Sequence, residues 1–166
     1  MSEQIILVDE KDNQIGSGEK LAVHQKGQLH RAFSILVFNS RGQLLIQQRS
    51  DSKYHCPGLW ANTCCSHPVV GETIDQAAHR RLEDEMGFDC PLEEKGSFIY
   101  KVAFDNNLIE HEFDHVLVGY YDGDIKINPQ EVKDSLWLEL ASLKKDMSDF
   151  PNKYAPWFKI IIDKFF

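Results

Sequence analysis

No stretch of the 166 residues approaches the ~20 consecutive apolar positions that a bilayer-spanning helix needs, which argues against an integral membrane protein. The segment from Met1 to Glu10 also lacks a basic stretch followed by an apolar core, the mark of a secretory leader, so a cytoplasmic location is expected. A basic surplus is missing as well: 18 Lys and Arg stand against 26 Asp and Glu, a formal net charge of -8. General nucleic-acid binding depends on neutralising many phosphates with cations, so nucleic acid is not an expected partner, whereas a small anion held by a local basic cluster stays open. The four cysteines include no Cys-x-x-Cys pair, and the adjacent Cys64 and Cys65 cannot bond each other without straining the peptide between them. In a reducing compartment such thiols are buried small hydrophobes, metal ligands or nucleophiles. Internal repeats, low-complexity tracts and Gly/Ser linkers are absent too, so the chain is read as one domain over residues 1–166. Its 42% hydrophobic and 11% aromatic residues suffice for a real core.

Phe33 to Phe38 and Leu44 to Arg49 read as strands, joined through Asn39-Ser40-Arg41-Gly42 into a hairpin. Pro57-Gly58 opens an irregular stretch through Pro68 that crowds Cys, His, Trp and Asn, and loops carry function more often than packing. From Thr73 the period changes: Ile74, Ala77, Ala78, Leu82 and Met86 fall three or four apart on one helical face. Thr73 with Gln76 fits a capping box, and Gly87 fits a left-handed stop. Ser97 to Phe104, Phe113 to Tyr121 and the shorter Leu136 to Leu140 read as strands, and the tail from Tyr154 to Phe166 as a helix that closes the core. Strands with two or three helices, not strictly alternating, predict an α/β (α+β) fold with a mixed sheet sandwiched between helices.

His24, His30 and His67 stand in extended or loop contexts. Glu110 and Glu112 flank His111 at the start of an apolar run, where a strand's period of two puts both carboxylates on one face. Imidazoles with carboxylates suit a borderline divalent ion such as zinc or manganese, with the carboxylates favouring manganese or magnesium. Cys65 has the profile of an acid–base catalyst if a neighbour tunes its thiol from an unperturbed value near ~8.5. Arg49, Lys53, Arg80 and Arg81 are the candidates for an anion cradle. Arg81 and Glu85, one helical turn apart, offer a cation to a phosphate and a carboxylate to its magnesium. Each of these groups also has an ordinary alternative: a satisfied core histidine, a buried apolar cysteine or a solvated charged face.

The segment from Ser66-His67-Pro68 to Glu72, followed by Arg80-Arg81-Leu82-Glu83-Asp84-Glu85-Met86-Gly87-Phe88, resembles a Nudix box. Ser66 replaces the leading glycine, Asp84 replaces the first of the paired glutamates, and Arg81 stands where the hydrolases place a glutamate. Loss of that last carboxylate removes part of the metal cluster that activates water. From about Glu19 to Trp157 the chain further resembles the type I isopentenyl-diphosphate isomerases. The shared elements are Glu19-Lys20 with His24, Leu29-His30-Arg31-Ala32-Phe33-Ser34, Gln48-Arg49 with Lys53, Pro57-Gly58-Leu59-Trp60-Ala61-Asn62, Cys65-Ser66-His67-Pro68, Tyr100, Glu110-His111-Glu112 and Pro156-Trp157.

This resemblance implies a Nudix-like α/β/α sandwich and a small-molecule substrate, isopentenyl or dimethylallyl diphosphate. It implies that His24, His30, His67, Glu110 and Glu112 bind one divalent metal (manganese, magnesium or zinc). Cys65 and Glu112 would face each other across the substrate, with Tyr100 assisting at the acidic side and Trp157 shielding a cationic intermediate. Lys20, Arg49, Lys53 and Arg81 match diphosphate-contacting positions, and Glu85 matches the ligand of a magnesium carried by the diphosphate. The alternative enzyme reading is a Nudix pyrophosphohydrolase acting on a nucleoside diphosphate derivative; a catalytically silent diphosphate-binding or metal-binding module is a third.

Overall fold

In the computed structural model, which describes residues 2–166, a hairpin of β1 (Gln4–Val8) and β2 (Gln14–Glu19) leads into helix α1 (Lys20–Lys26). Next come β3 (His30–Phe38), β4 (Gln43–Arg49), the short β5 (Trp60–Ala61) and β6 (Cys64–Ser66), and helix α2 (Ile74–Met86). The long β7 (Leu92–Ala103) and β8 (Ile109–Tyr120) follow, then β9 (Val132–Glu139), α3 (Leu140–Asp149) and α4 (Pro156–Phe165).

Helix α2 forms where the spacing places it. The Thr73 hydroxyl accepts the Gln76 N–H at 3.1 Å and the Gln76 side chain accepts the Thr73 N–H at 3.0 Å, the reciprocal capping box. An N-cap of this kind contributes about 1 kcal/mol. Gly87 ends the helix at φ +74°, and a Cβ there would lie 2.3 Å from the Lys126 carbonyl oxygen, so only glycine fits.

Strand period then sorts the side chains into two cores. Phe33, Ile35 and Val37 of β3 and Leu45 of β4 point to one face, where they pack with Ala77, Ala78, Leu82 and Met86 of α2. Leu36, Phe38, Leu44 and Ile46 point to the other, against Leu143 and Met147 of α3 and Trp157, Phe158, Ile161 and Ile162 of α4. The mixed sheet between helical layers is thus the expected one. Adjacent Cys64 and Cys65 part in the same way: Cys64 joins the α2 side and Cys65 the α4 side.

Strand pairing departs from the expected hairpin. β3 and β4 meet through a single pair, Phe38 with Leu44, and then diverge. β3 instead runs parallel to β8 over nine pairs, from His30 with Glu112 to Phe38 with Tyr120, and its other edge takes β6 at Phe33 to Ile35. β4 pairs with β9 along its length. The divergence opens the space that β5, β6 and the loop before them fill. The strand expected over 136–140 begins earlier, at Val132, and Leu140 opens α3.

Candidate active site

The α4 face of the sheet carries a row of acidic side chains. Glu110, Glu112 and Asp114 alternate along β8, all buried, with the more exposed His111 and Phe113 between them turned the other way. Parallel pairing sets His30 beside Glu112, and antiparallel pairing sets Tyr100 of β7 opposite Glu112. Helix α1 supplies His24; Glu19 caps its start by accepting the Leu21 and Ala22 N–H groups, and Gly27 ends it at φ +68°.

Three imidazoles converge on this row. The nearest approaches are His24 Nε2 to Glu110 Oε1 at 3.0 Å, His67 Nε2 to Glu112 Oε2 at 2.9 Å, and His30 Nε2 to Glu112 Oε2 at 3.4 Å. One ligand atom each from His24, His30, His67 and Glu110 lies within 4.8 Å of all the others. His24 Nδ1 donates to the Lys20 carbonyl at 2.7 Å and His30 Nδ1 to the Gln28 carbonyl at 2.9 Å, an assignment that leaves both Nε2 lone pairs facing the centre. His24 Nε2, His30 Nε2 and Glu110 Oε1 are buried without a hydrogen-bond partner. Buried unpaired acceptors cost free energy unless a cation satisfies them, so these residues fit a divalent ion.

Electrostatics divide the row. Burial alone would raise Glu112, but the His30 and His67 imidazoles that face it outweigh burial and hold this carboxyl well below the usual range. Burial and the charge of Glu112 push Glu110 and Asp114 up, and Asp114 takes a 2.8 Å hydrogen bond from Ser34. Burial, then the Glu112 charge, also lifts Tyr100 well above the ordinary phenol. Its hydroxyl therefore keeps its proton and donates it to Glu112 Oε1 in a short bond.

A cavity, partly open to solvent, lies over this centre. Glu110, Glu112, His67, Cys65 and Trp157 line it, together with Lys20, Arg49, Lys53 and Arg81. Cys65 and Glu112 thus open into the same space. His24, His30, Tyr100 and Glu85 do not line it. Arg49 sits where three groups meet: it donates to Cys65 Sγ at 3.6 Å, donates to the His55 carbonyl at 3.3 Å, and lies 5.2 Å from the Trp157 ring centroid. The Trp157 indole N–H donates to Asn62 Oδ1 at 3.1 Å, which fixes the ring's edge. Burial pushes the Cys65 thiol up to about 12 even against the nearby Arg49 charge. Cys64 donates to Glu85 Oε2 at 2.9 Å on the α2 side. Arg80 is turned to Glu72 in a two-pronged pair at 2.8 and 3.0 Å, away from the cavity.

Sequence reasoning missed His55. Its Nε2 lies 3.0 Å from Glu110 Oε1, and its ring stacks on His24 and meets Trp157 edge-on. No periodicity marks a loop residue, so nothing local distinguished it. Asp114 was given no role from the sequence, although it continues the alternation of Glu110 and Glu112 along β8.

Residues 28–158 match the family model described as NUDIX domain. The chain is 53% identical over 163 residues to isopentenyl-diphosphate Delta-isomerase 2 of Photorhabdus laumondii, covering 98% of this chain and 92% of that protein. It is 49% identical over 162 residues to isopentenyl-diphosphate Delta-isomerase of Serratia proteamaculans, covering 98% and 90%. In fold it is similar to a crystal structure from Deinococcus radiodurans, with a TM-score of 0.82, 21% identity and 99% of each chain covered. A MutT protein from Methanosarcina mazei Go1 shares the fold more distantly, with a TM-score of 0.68 and 17% identity over 82% of this chain and 92% of that one. Sequence likeness at this level over nearly the whole length places the chain in the Nudix family and, within it, among the isopentenyl-diphosphate Delta-isomerases.

Proposed function

We propose that the chain, acting as one cytoplasmic domain over residues 1–166, interconverts isopentenyl and dimethylallyl diphosphate through two proton-handling groups that share the cavity. The observation that carries this reading is that Cys65 and Glu112, which come from β6 and β8, open into one space rimmed by cations. The reaction adds a proton to the terminal carbon of an unactivated alkene and removes one from the carbon beyond the branch point, through a tertiary carbocation. In that direction Tyr100 with Glu112 delivers the first proton and Cys65 as thiolate takes the second. In the reverse direction the thiol delivers and the carboxylate accepts.

The free protein favours a protonated Cys65 and an ionised Glu112, the pairing suited to dimethylallyl diphosphate. Moving one proton from the sulfur to the carboxylate side prepares the opposite direction, and each turnover shifts it back. Trp157 shields the cation with its π face, worth ~2 kcal/mol when desolvated, and carries no oxygen to capture it. His24, His30, His67, Glu110 and Glu112 would hold a divalent ion, which would supply positive charge beside the carboxylates. Zinc or manganese suits this imidazole-rich set, and magnesium suits the diphosphate.

Incubation with isopentenyl diphosphate and magnesium should yield dimethylallyl diphosphate and no phosphate. Release of phosphate from nucleoside diphosphate derivatives, with no isomerised product, would favour the hydrolase reading instead. Arg81, bonded to Glu85 at 3.0 Å where a hydrolase carries a carboxylate, weighs against hydrolysis. Its role is to hold the diphosphate, so Arg81→Gln should raise KM by about tenfold, roughly the loss of one charge-assisted bond, with a smaller change in kcat. An unchanged KM in steady-state assays would remove Arg81 from the cradle.

A further inference from the structure

The cations of the cavity are not free. Arg81 Nη2 lies 3.0 Å from Glu85 Oε1 and 3.3 Å from Glu131 Oε2. Lys53 Nζ pairs closely with Glu131 Oε2 and lies 3.7 Å from Glu85 Oε1. Lys20 pairs with Glu3 at 3.5 Å. Among the described residues, Arg49 is the one basic side chain of the cavity with no carboxylate at ion-pair distance. It is only 5% exposed and its Nε has no partner, and Arg81 Nε is also buried and unpartnered. Two residues that line the cavity thus carry a buried donor without a partner, yet two carboxylates stand around the Lys53 and Arg81 cations. Glu85 does not line the cavity; Glu131 does. A bare diphosphate entering here would meet the Glu131 carboxylate as a repelling charge.

A divalent cation reverses that relation. Magnesium is bound by one or two carboxylates plus substrate phosphate oxygens, so a carboxylate beside a diphosphate site becomes a ligand when the metal arrives with the substrate. We propose that Glu131, at the cavity wall beside Lys53 and Arg81, is a carboxylate that receives the magnesium of the incoming diphosphate and so makes the cradle select metal-loaded over bare diphosphate. Glu131 is held ionised for this: burial opposes it, but the hydrogen bond and charge of Lys53, then Arg81, keep its carboxyl below the usual range. When magnesium diphosphate binds, Lys53 and Arg81 exchange the carboxylate for phosphate oxygens, and Glu131 turns to the metal.

This inference rests on the isomerase reading, and the experiment separates the two. Inorganic pyrophosphate is titrated calorimetrically into the wild-type protein and into Glu131→Gln, with excess magnesium and with chelator, beside an isomerase assay of the wild type. Glu131→Gln removes the charge and keeps the size at a partly exposed position. With magnesium the variant should bind pyrophosphate at least about tenfold more weakly, the scale of loss when a group that holds or orients a metal is removed. With chelator it should bind more tightly than wild type, because a repelling charge has gone. Equal tightening under both conditions would make Glu131 a mere counter-ion, and no change in either would leave it outside the site; each overturns the inference while an active wild type keeps the isomerase reading. A wild type without isomerase activity would sink that reading itself.

Discussion

Replacing Cys65 by alanine leaves a folded protein whose isomerisation rate falls by about 10³-fold or more, the contribution of a positioned proton-transfer group. The reason lies in strand geometry. Cys65 pairs with Ser34 across β6 and β3 and points to the α4 face, where it lines the cavity beside Arg49 and Trp157. Among the described residues, no other thiol lines that space. Alanine keeps the strand pairing and removes only the sulfur, so thermal unfolding should shift little while turnover collapses. Cys64→Ala is the control, since that thiol lies against α2 and Glu85; its rate should stay within a few-fold of wild type. A Cys65→Ala variant with near-wild-type kcat would remove the sulfur from the reaction.

Glu112→Gln should be at least as damaging, for two separable reasons. The carboxylate accepts from Tyr100 on one oxygen and faces His67 and His30 with the other. An amide of the same shape cannot accept on both arms, nor can it serve as a proton carrier. Turnover should therefore fall by about 10³-fold or more. On the proposed ligand set Glu112 also holds the ion, so the affinity for manganese, followed by the quenching of its free spectroscopic signal, should weaken by about 10- to 100-fold. Supplying saturating manganese restores occupancy but not rate. Recovery of the rate by added metal would mean that Glu112 only holds the ion and does not handle the proton.

Much of the architecture was legible from particular residues. The Thr73–Gln76 box and Gly87 bracket α2, and the alternation of Glu110 and Glu112 foretells both their strand and their shared face. What escaped depends on pairing between distant segments. β6 is three residues long and exists because Phe33 to Ile35 of β3 accept it as a partner; its own residues carry no strand signal. The expected hairpin between β3 and β4 closes at Phe38 with Leu44 and goes no further, because β6 takes that edge of β3 at Phe33 to Ile35 while β8 takes the other, and local turn chemistry says nothing about that competition.

The site divides along the same line. His24, His30, His67, Glu110, Glu112, Cys65 and Trp157 were named from motifs, and the fold brings them to one centre. Of the cations read from the sequence, Lys20, Arg49, Lys53 and Arg81 line the cavity while Arg80 turns to Glu72, and the counter-ion among them, Glu131, was not read at all. A single glutamate in a loop before β9 has no period to betray it; only the side chains it meets, Lys53 and Arg81, give it meaning. Arg49 changes character most. Read as a phosphate contact, it also donates to the Cys65 sulfur and neighbours the indole face, so it joins the cations of the cavity to Cys65 and Trp157.

The facial course of the reaction tests the arrangement of sulfur and carboxylate most directly. Isopentenyl diphosphate stereospecifically deuterated at the carbon that loses a proton, and isotopically marked at the terminal carbon, is converted in deuterated water, and the product's configuration is read by NMR. A thiol and a carboxylate working from opposite sides predict that the proton is gained on one face and lost from the other. Gain and loss on the same face would mean that one group does both tasks, and Cys65 and Glu112 could not hold the roles given to them.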